Sequence, residues 1–470
     1  MQNTVMDTNF YAKMTMKTTA YILLLIMATA FISCGDEDGI IYVRQDQLEI
    51  KSIPVTSVLS PYLLPDGSLA MLEKGESKGV FIVQEPQQTD PVESNPDVNQ
   101  SVPSADTMYT SESTFYLVKL SKDGTITKSP QFCYNMIDFS NTLYIRICSI
   151  DITANNNFYC KYYSNSTYSD DHDLYVSKFD VGEYLDGVDM ISNADTPFWG
   201  CAAISDDEFA IIRGNDPVMY IYDSQMNLKQ QCSLPYLKYT KEYYYYIHPI
   251  CGNIMIIKPS QIADNMVYEF YVYSTSGELL NYGSFPYLPD RIVNIVDPAT
   301  NTFTHAYAIT SDAFSTDEDG TSSLLGGSII RLDQNGRAIY EFTDSEFTQI
   351  FNVTEHNGRL IVAGVKSTYS FDSFFNAFGH NIDSETFYSN LSGLIVDIDA
   401  ATGGDLKTYP ISLEGSAMPF AVVPDDNDRY YVYMARFLSD QIRQRSSSDD
   451  KYGNSIFIYH IDDLNKLNNE

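Results

Sequence analysis

Six histidines, seven cysteines and three acidic clusters are the side chains of this 470-residue chain best equipped for chemistry, and their spacing gives little sign of catalysis. His172, His248, His305, His356, His380 and His460 fall in no HxxxH or HExxH arrangement. No Walker loop or glycine-rich dinucleotide fingerprint occurs, and the one GxSxG string, Gly75-Glu-Ser-Lys-Gly79, has no helical pattern after it to make a nucleophile elbow. Asp170-Asp-His-Asp173, Asp317-Glu-Asp319 and Asp425-Asp-Asn-Asp428 gather oxygens of the kind calcium takes, about six to eight at a time. None has the DxDxDG spacing of a calcium loop, so solvated acidic turns are the plainer reading. No metal, cofactor or catalytic residue is expected.

Candidates for binding are better placed. Tyr239-Thr-Lys-Glu-Tyr-Tyr-Tyr-Tyr-Ile-His248 carries four successive tyrosines. On a strand they alternate faces, two entering the core and two pointing away. Tyr243, Tyr245 and His248 are therefore candidate ligand-binding residues, with strand packing as the ordinary alternative. Trp199, the single tryptophan, stands between Phe198 and Gly200 and is another candidate, again with core packing as the alternative. The segment 367–390 holds seven aromatic residues, among them Phe374 and Phe378. Rings at that density bury themselves against the body or against a partner.

Cys34 is the cysteine with the most telling surroundings. Lys17, the apolar run Tyr21–Phe31 and Ile32-Ser33 precede it, in the order of a secretory signal peptide. The apolar core of about 13 residues is shorter than the roughly 20 that span a bilayer. Phe31-Ile32-Ser33-Cys34 resembles the lipobox of bacterial lipoproteins, and Gly35-Asp-Glu-Asp-Gly39 resembles the export tag of Bacteroides-type surface lipoproteins. The resemblance implies a palmitate-bearing Cys34 that binds the lipid bilayer, with the body held on the outer membrane at the cell surface. A plain acidic tether is the alternative for residues 35–39. Met16 is the expected start, residues 1–33 the signal peptide and 34–39 the tether.

The other six cysteines, Cys133, Cys148, Cys160, Cys201, Cys232 and Cys251, form no CxxC pair. Cys148 and Cys160 flank Thr153-Ala-Asn-Asn-Asn157, where opposed partners either bridge or pack as thiols. A formal net charge of −33 repels nucleic acid and anionic headgroups and favours solubility. The 37 tyrosines suit half-buried strands first and sugar-binding surfaces second.

These residues must be positioned by strands, because helical periodicity is almost absent. A strand of alternating apolar residues leading into an Asp/Gly/Asn turn recurs seven times, at 115–126, 174–182, 218–228, 268–279, 328–336, 393–404 and 455–462. A second strand pair precedes each copy. The spacing accommodates four-stranded units of about 40–50 residues plus loops. The chain resembles the seven-bladed β-propellers over residues 40–470, with Ile40–Ile50 completing the last blade. Two tandem β-sandwiches are the alternative fold, but no mid-chain linker is visible. Insertions are expected at 84–113, 312–327 and 367–390. Ser315–Thr321 and Ser121–Thr125 resemble the Asp-box turns of sialidase-like propellers but lack their aromatic ending, and such boxes imply a turn rather than an active site.

The expected function is non-enzymatic recognition or scaffolding at the bacterial envelope, with an envelope protein or a glycan as partner. The alternatives are glycan capture for a polysaccharide uptake system, and a polysaccharide lyase or hydrolase. Glycan capture requires exposed rings beside amides and carboxylates, and an enzyme requires convergent ionisable groups in the central funnel. The anchor is directly testable: Cys34→Ala is expected to abolish palmitate incorporation and release the protein from membranes. Continued labelling and sedimentation would show that the lipobox reading is wrong.

Overall fold

Four successive strands, Phe198–Ala203, Glu208–Arg213, Val218–Asp223 and Leu228–Ser233, show how sequence pattern becomes radial position. They pair in chain order as one antiparallel sheet. The second is apolar at Phe209-Ala-Ile-Ile212, and all four residues are buried because neighbouring sheets cover both faces. In the third, buried Met219 and Ile221 alternate with half-buried Tyr220 and Tyr222. The fourth, with exposed Lys229-Gln-Gln231, runs along the outside.

This unit recurs seven times in the computed structural model, which gives a β-propeller. The structure describes residues 41–45, 48–54, 61–83, 107–138, 146–165, 172–185, 198–239, 245–262, 265–316, 322–344, 346–367, 391–411, 416–425, 427–437 and 455–468. The chain begins with β1 (Ile41–Gln45) and β2 (Leu48–Pro54). Blade 1 comprises β3 (Tyr62–Leu63), β4 (Leu69–Val83), β5 (Thr107–Leu120) and β6 (Ile126–Lys128), while β7 (Phe132–Asp138) pairs with the remainder of β5. Blade 2 comprises β8 (Arg146–Ile152), β9 (Phe158–Asn165), β10 (His172–Lys178) and β11 (Gly182–Leu185). Blade 3 is the sheet already described, β12 to β15. Blade 4 comprises β16 (Tyr246–Ile250), β17 (Asn253–Ile262), β18 (Asn265–Tyr273) and β19 (Leu279–Phe285). Blade 5 comprises β20 (Arg291–Asp297), β21 (Thr302–Thr316), β22 (Ser322–Leu332) and β23 (Ala338–Asp344). Blade 6 comprises β24 (Gln349–His356), β25 (Arg359–Ser367), β26 (Leu391–Asp399) and β27 (Lys407–Ile411). Blade 7 comprises β28 (Ser416–Pro424), β29 (Tyr430–Phe437) and β30 (Ser455–Ile461), completed by β2 with β1 outside it.

The seven sequence copies are the third strands of the seven blades, each leading into its Asp/Gly turn. Those turns are closed by carboxylates. Asp223 Oδ1 accepts from the amides of Gln225 and Asn227 (2.9 and 2.8 Å), and Asp333 Oδ1 from those of Asn335 and Arg337 (both 2.9 Å). Gly336 adopts φ +79°, and a Cβ there would lie 2.7 Å from Val272 Cγ2 of the preceding blade.

Seven hydrophobic clusters hold the blades face to face, each drawing on neighbouring blades. Fully buried tyrosines on second strands add directional links. Tyr159 Oη donates to Asp206 O (2.8 Å), Tyr307 Oη to Glu355 Oε2 (2.7 Å) and Tyr433 Oη to Gly67 O (2.8 Å), each in the next blade.

Three details refine the sequence reading. The strand that closes the ring is 48–54, paired with β30 from Glu49↔His460 to Pro54↔Ser455, while 41–45 is an added outer strand. The three insertions all fall between second and third strands, but much of 312–327 is paired as an extended β21–β22 hairpin, and 107–113 belongs to β5. Backbone pairing there satisfies the amides of a segment whose polar composition reads as loop. Cys160 lies opposite Ile150, with Cys148 in the register irregularity between Ile147 and Ser149, so the two cysteines are not directly opposed. Among the described residues, no helix is long and apolar enough to cross a membrane.

Ring closure predicts a sharp boundary in truncations. Removing residues up to 46 is expected to leave the melting temperature nearly unchanged. Removal up to 54 bares the edge of β30 and is expected to lower it by about 10 °C or more. Equal melting of the two truncations would contradict this closure.

Candidate functional site

The first strand of each blade has only one strand neighbour, so its other edge faces the central channel with backbone groups to satisfy. Two cations meet much of that demand. Lys161 on β9, 2% exposed, donates from Nζ to Cys201 O of blade 3 (3.0 Å) and Ile247 O of blade 4 (3.2 Å). It also pairs with Asp151 Oδ1 of β8 (2.9 Å), whose Oδ2 accepts from Ala203 N (2.9 Å). Across the channel, Arg291 Nη1 donates to Pro61 O (3.0 Å) and Phe351 O (2.8 Å), while the guanidinium lies 3.9 Å from the centroid of the Tyr62 ring. Asn352 Nδ2 joins Pro61 O (3.0 Å) to Phe420 O (2.7 Å), and its Oδ1 accepts from Leu63 N (3.1 Å). Lys161 thus ties blades 2, 3 and 4, Arg291 ties 5, 6 and 1, and Asn352 ties 6, 7 and 1.

A cavity of about 120 Å³ remains between these ties, lined by residues of blades 1, 2, 4, 5 and 6. All seven residues of β20 are partly exposed, in keeping with an accessible channel wall. His248 lines the cavity, and its Nε2 is buried without a hydrogen-bond partner among the described residues. Burial, assisted by the charge of Lys161, lowers its pKa to about 3, so the imidazole is neutral near pH 7. Burial also raises the pKa of Asp151 in spite of Lys161. Glu355, on the same wall, accepts from Tyr307 Oη and meets His305 Nε2, both at 2.7 Å. Its burial acts to raise the pKa, but those hydrogen bonds outweigh it and hold the carboxyl below its ordinary value.

A second feature lies on the face where second-to-third and fourth-to-first connections emerge. Trp199, 4% exposed, donates from Nε1 to Gly214 O (2.9 Å). Tyr245 stacks on it at 4.1 Å between centroids, and Tyr239 lies 5.9 Å from Tyr245 and 6.0 Å from Trp199. The outer two rings are half-buried. Three residues before Tyr239, Tyr236 is 79% exposed and has φ +73°, a left-handed conformation that a bulky side chain rarely adopts. The turn is pinned by Tyr273 Oη, which donates to Pro235 O. Asn215, Asp216 and Lys238 are exposed on the same connections, and Asn215 O accepts from Tyr239 N (3.1 Å).

Of the residues singled out from sequence, Trp199 and Tyr245 come together in this stack, with Trp199 as its buried base. His248 belongs instead to the channel. Cys34, Tyr243, Phe374 and Phe378 lie outside the described residues. Sequence reasoning missed Tyr236, for which the Pro235-Tyr236 turn was the available signal, and it missed Lys161, Arg291 and Asn352. Among the described residues no three His, Cys, Asp or Glu side chains group to hold a metal, and Asp425 is engaged by the amides of Asn427 and Arg429 and by His460.

No protein-family model matches the chain, and no curated protein matches it. Solved structures of similar fold include the phage phi92 endosialidase, 8% identical, over 89% of this chain and 70% of that one, with a TM-score of 0.42. A subtype N10 neuraminidase-like protein from a little yellow-shouldered bat virus is 6% identical, over 67% of this chain and 94% of its own, with a TM-score of 0.33. The polysaccharide lyase Uly1 is 10% identical, over 75% and 88%, with a TM-score of 0.31. At such identities the likeness is one of fold alone.

The hub makes a clear energetic prediction. Lys161→Met strands the Asp151 carboxyl and two carbonyls, and is expected to cost about 3–5 kcal/mol in denaturant unfolding. Adding Asp151→Asn should restore a substantial part. A single variant as stable as the parent would show that the ion pair does not hold the blades.

Proposed function

We propose that this protein is a non-enzymatic recognition propeller, held at the outer membrane through acylated Cys34, that captures glycan on the aromatic shelf between blades 3 and 4. The observation that carries the reading is Tyr236. Its ring faces solvent, and its backbone is held in a conformation that costs free energy in a non-glycine residue. Packing of the ring itself accounts for neither feature, the turn being held from buried Leu234 and Leu237 and by the Tyr273 hydroxyl on Pro235. A pyranose ring presents an apolar C–H face with hydroxyls at its edge. It suits exposed and half-buried tyrosines braced by Trp199, with an amide, a carboxylate and an amine at the rim.

Recognition is favoured over bond-breaking by what the channel's ionisable groups already do. Asp151 is paired with Lys161, Glu355 with His305 and Tyr307, and Arg291 Nη1 with two carbonyls. These contacts hold blades together and, among the described residues of the channel, leave no pair of uncommitted acids flanking a bond.

Tyr236→Gly separates function from stability. Glycine relaxes the left-handed turn, so the melting temperature is expected to be unchanged or raised. Loss of about 60 Å² of stacked ring face, at about 25 cal/mol per Å², corresponds to about 1.5 kcal/mol, or about a tenfold weaker retention on polysaccharide affinity gels. Unchanged retention with unchanged melting would leave the shelf without a glycan role and favour a protein partner. A large fall in melting would make Tyr236 structural.

A further inference from the structure

Arg291 anchors the channel with only one of its three nitrogens. Nη1 directs its two hydrogens to Pro61 O and Phe351 O, while among the described residues Nε and Nη2 meet no acceptor and the side chain forms no ion pair. Tyr62 covers a face of the guanidinium, which leaves the Nε–Nη2 edge as its open recognition element. That edge carries two parallel N–H groups whose spacing matches the two oxygens of a carboxylate. On the neighbouring blade 4, lining the same cavity, neutral His248 has a buried Nε2 without a partner among the described residues. A buried polar atom with no partner is uncommon enough to point to something that supplies one.

Size narrows the ligand further. A cavity of about 150 Å³ holds benzene, with its six heavy atoms, so 120 Å³ suits a molecule of about five. A carboxylate of two to four carbons is of that order, whereas a whole sugar ring is not. Arg291 is the one Lys or Arg among the residues lining the cavity, which also include Glu355, so a ligand with a single negative charge is better matched than a phosphate with two. Asp290 adjoins Arg291 in sequence, but its Oδ2 accepts from Ser311 N (2.6 Å).

We propose that the central channel is a binding site for a small monocarboxylate, held side-on by Nε and Nη2 of Arg291 in the cavity that His248 also lines. This site is separate from the aromatic shelf and does not depend on it.

The test is calorimetric titration of the purified protein with sodium acetate and sodium lactate, using acetamide and lactamide as neutral controls. Saturable binding of the carboxylates alone is expected. Arg291→Lys keeps a charge that reaches a carbonyl but loses the two-pronged edge, and should weaken binding about tenfold or more. Because Arg291 also ties blades together, a second variant avoids dependence on folding. Ser149 lines the cavity and its hydroxyl makes no hydrogen bond among the described residues, so Ser149→Leu fills the channel without removing one. It should abolish binding while the melting temperature holds. The proposal is overturned if the parent shows no saturable heat, if the amides bind as well as the acids, or if Ser149→Leu binds like the parent.

Discussion

Unpaired inner edges govern this molecule. Each of seven sheets brings a first strand to the centre with one row of N–H and C=O groups unopposed, and a row left dry and unpaired would be costly. A few long polar side chains reach across the channel to meet carbonyls that no strand can meet. Lys161 serves three consecutive blades on one side, and Arg291 and Asn352 serve the others. The apolar clusters between blades supply bulk attraction without direction, whereas these bonds specify which carbonyl faces which and so set the spacing of the ring. The cavity is what remains when seven edges are joined by so few ties.

The repeat was legible because its cues are local. Alternating strands and Asp/Gly turns declare themselves within ten residues, and every third strand was found that way. The hub was not legible, because nothing near Lys161 or Arg291 separates a cation reaching across a channel from one on a solvent face. Lys161 sits in Tyr159-Cys-Lys-Tyr162, which reads as plain alternation, and its acceptors are 40 and 86 residues away. Trp199 was legible as a residue that matters at a blade entrance, but its role as the base beneath Tyr245 depends on a turn in another connection. The 312–327 stretch reads as loop because register, not composition, decides whether a polar segment pairs.

Composition also takes on local meanings. Tyrosine recurs because it fills an inter-blade layer with its ring while its hydroxyl reaches a turn or side chain of the next blade, as Tyr159, Tyr307 and Tyr433 do. Phenylalanine would pack equally well and leave those acceptors unmet. Part of the acidity has a similarly short-range origin. Asp223, Asp333, Asp399 and Asp425 each accept two or more backbone amides inside a turn, so a strongly negative chain need not imply a cationic partner.

The pairing of β2 with β30 also governs the order of events during folding. Ile53 lies opposite Ile456, so the contact that closes the ring joins positions some 400 residues apart in sequence. Loop-closure entropy for a span of that length is about 5 kcal/mol, paid only once all the intervening blades have formed or in competition with them. β2 must therefore wait for β30, and until then the ring is an open arc with a bare edge at each end. Topologies dominated by such distant contacts fold slowly. In this ring, β30 controls when β2 can stop being an aggregation hazard.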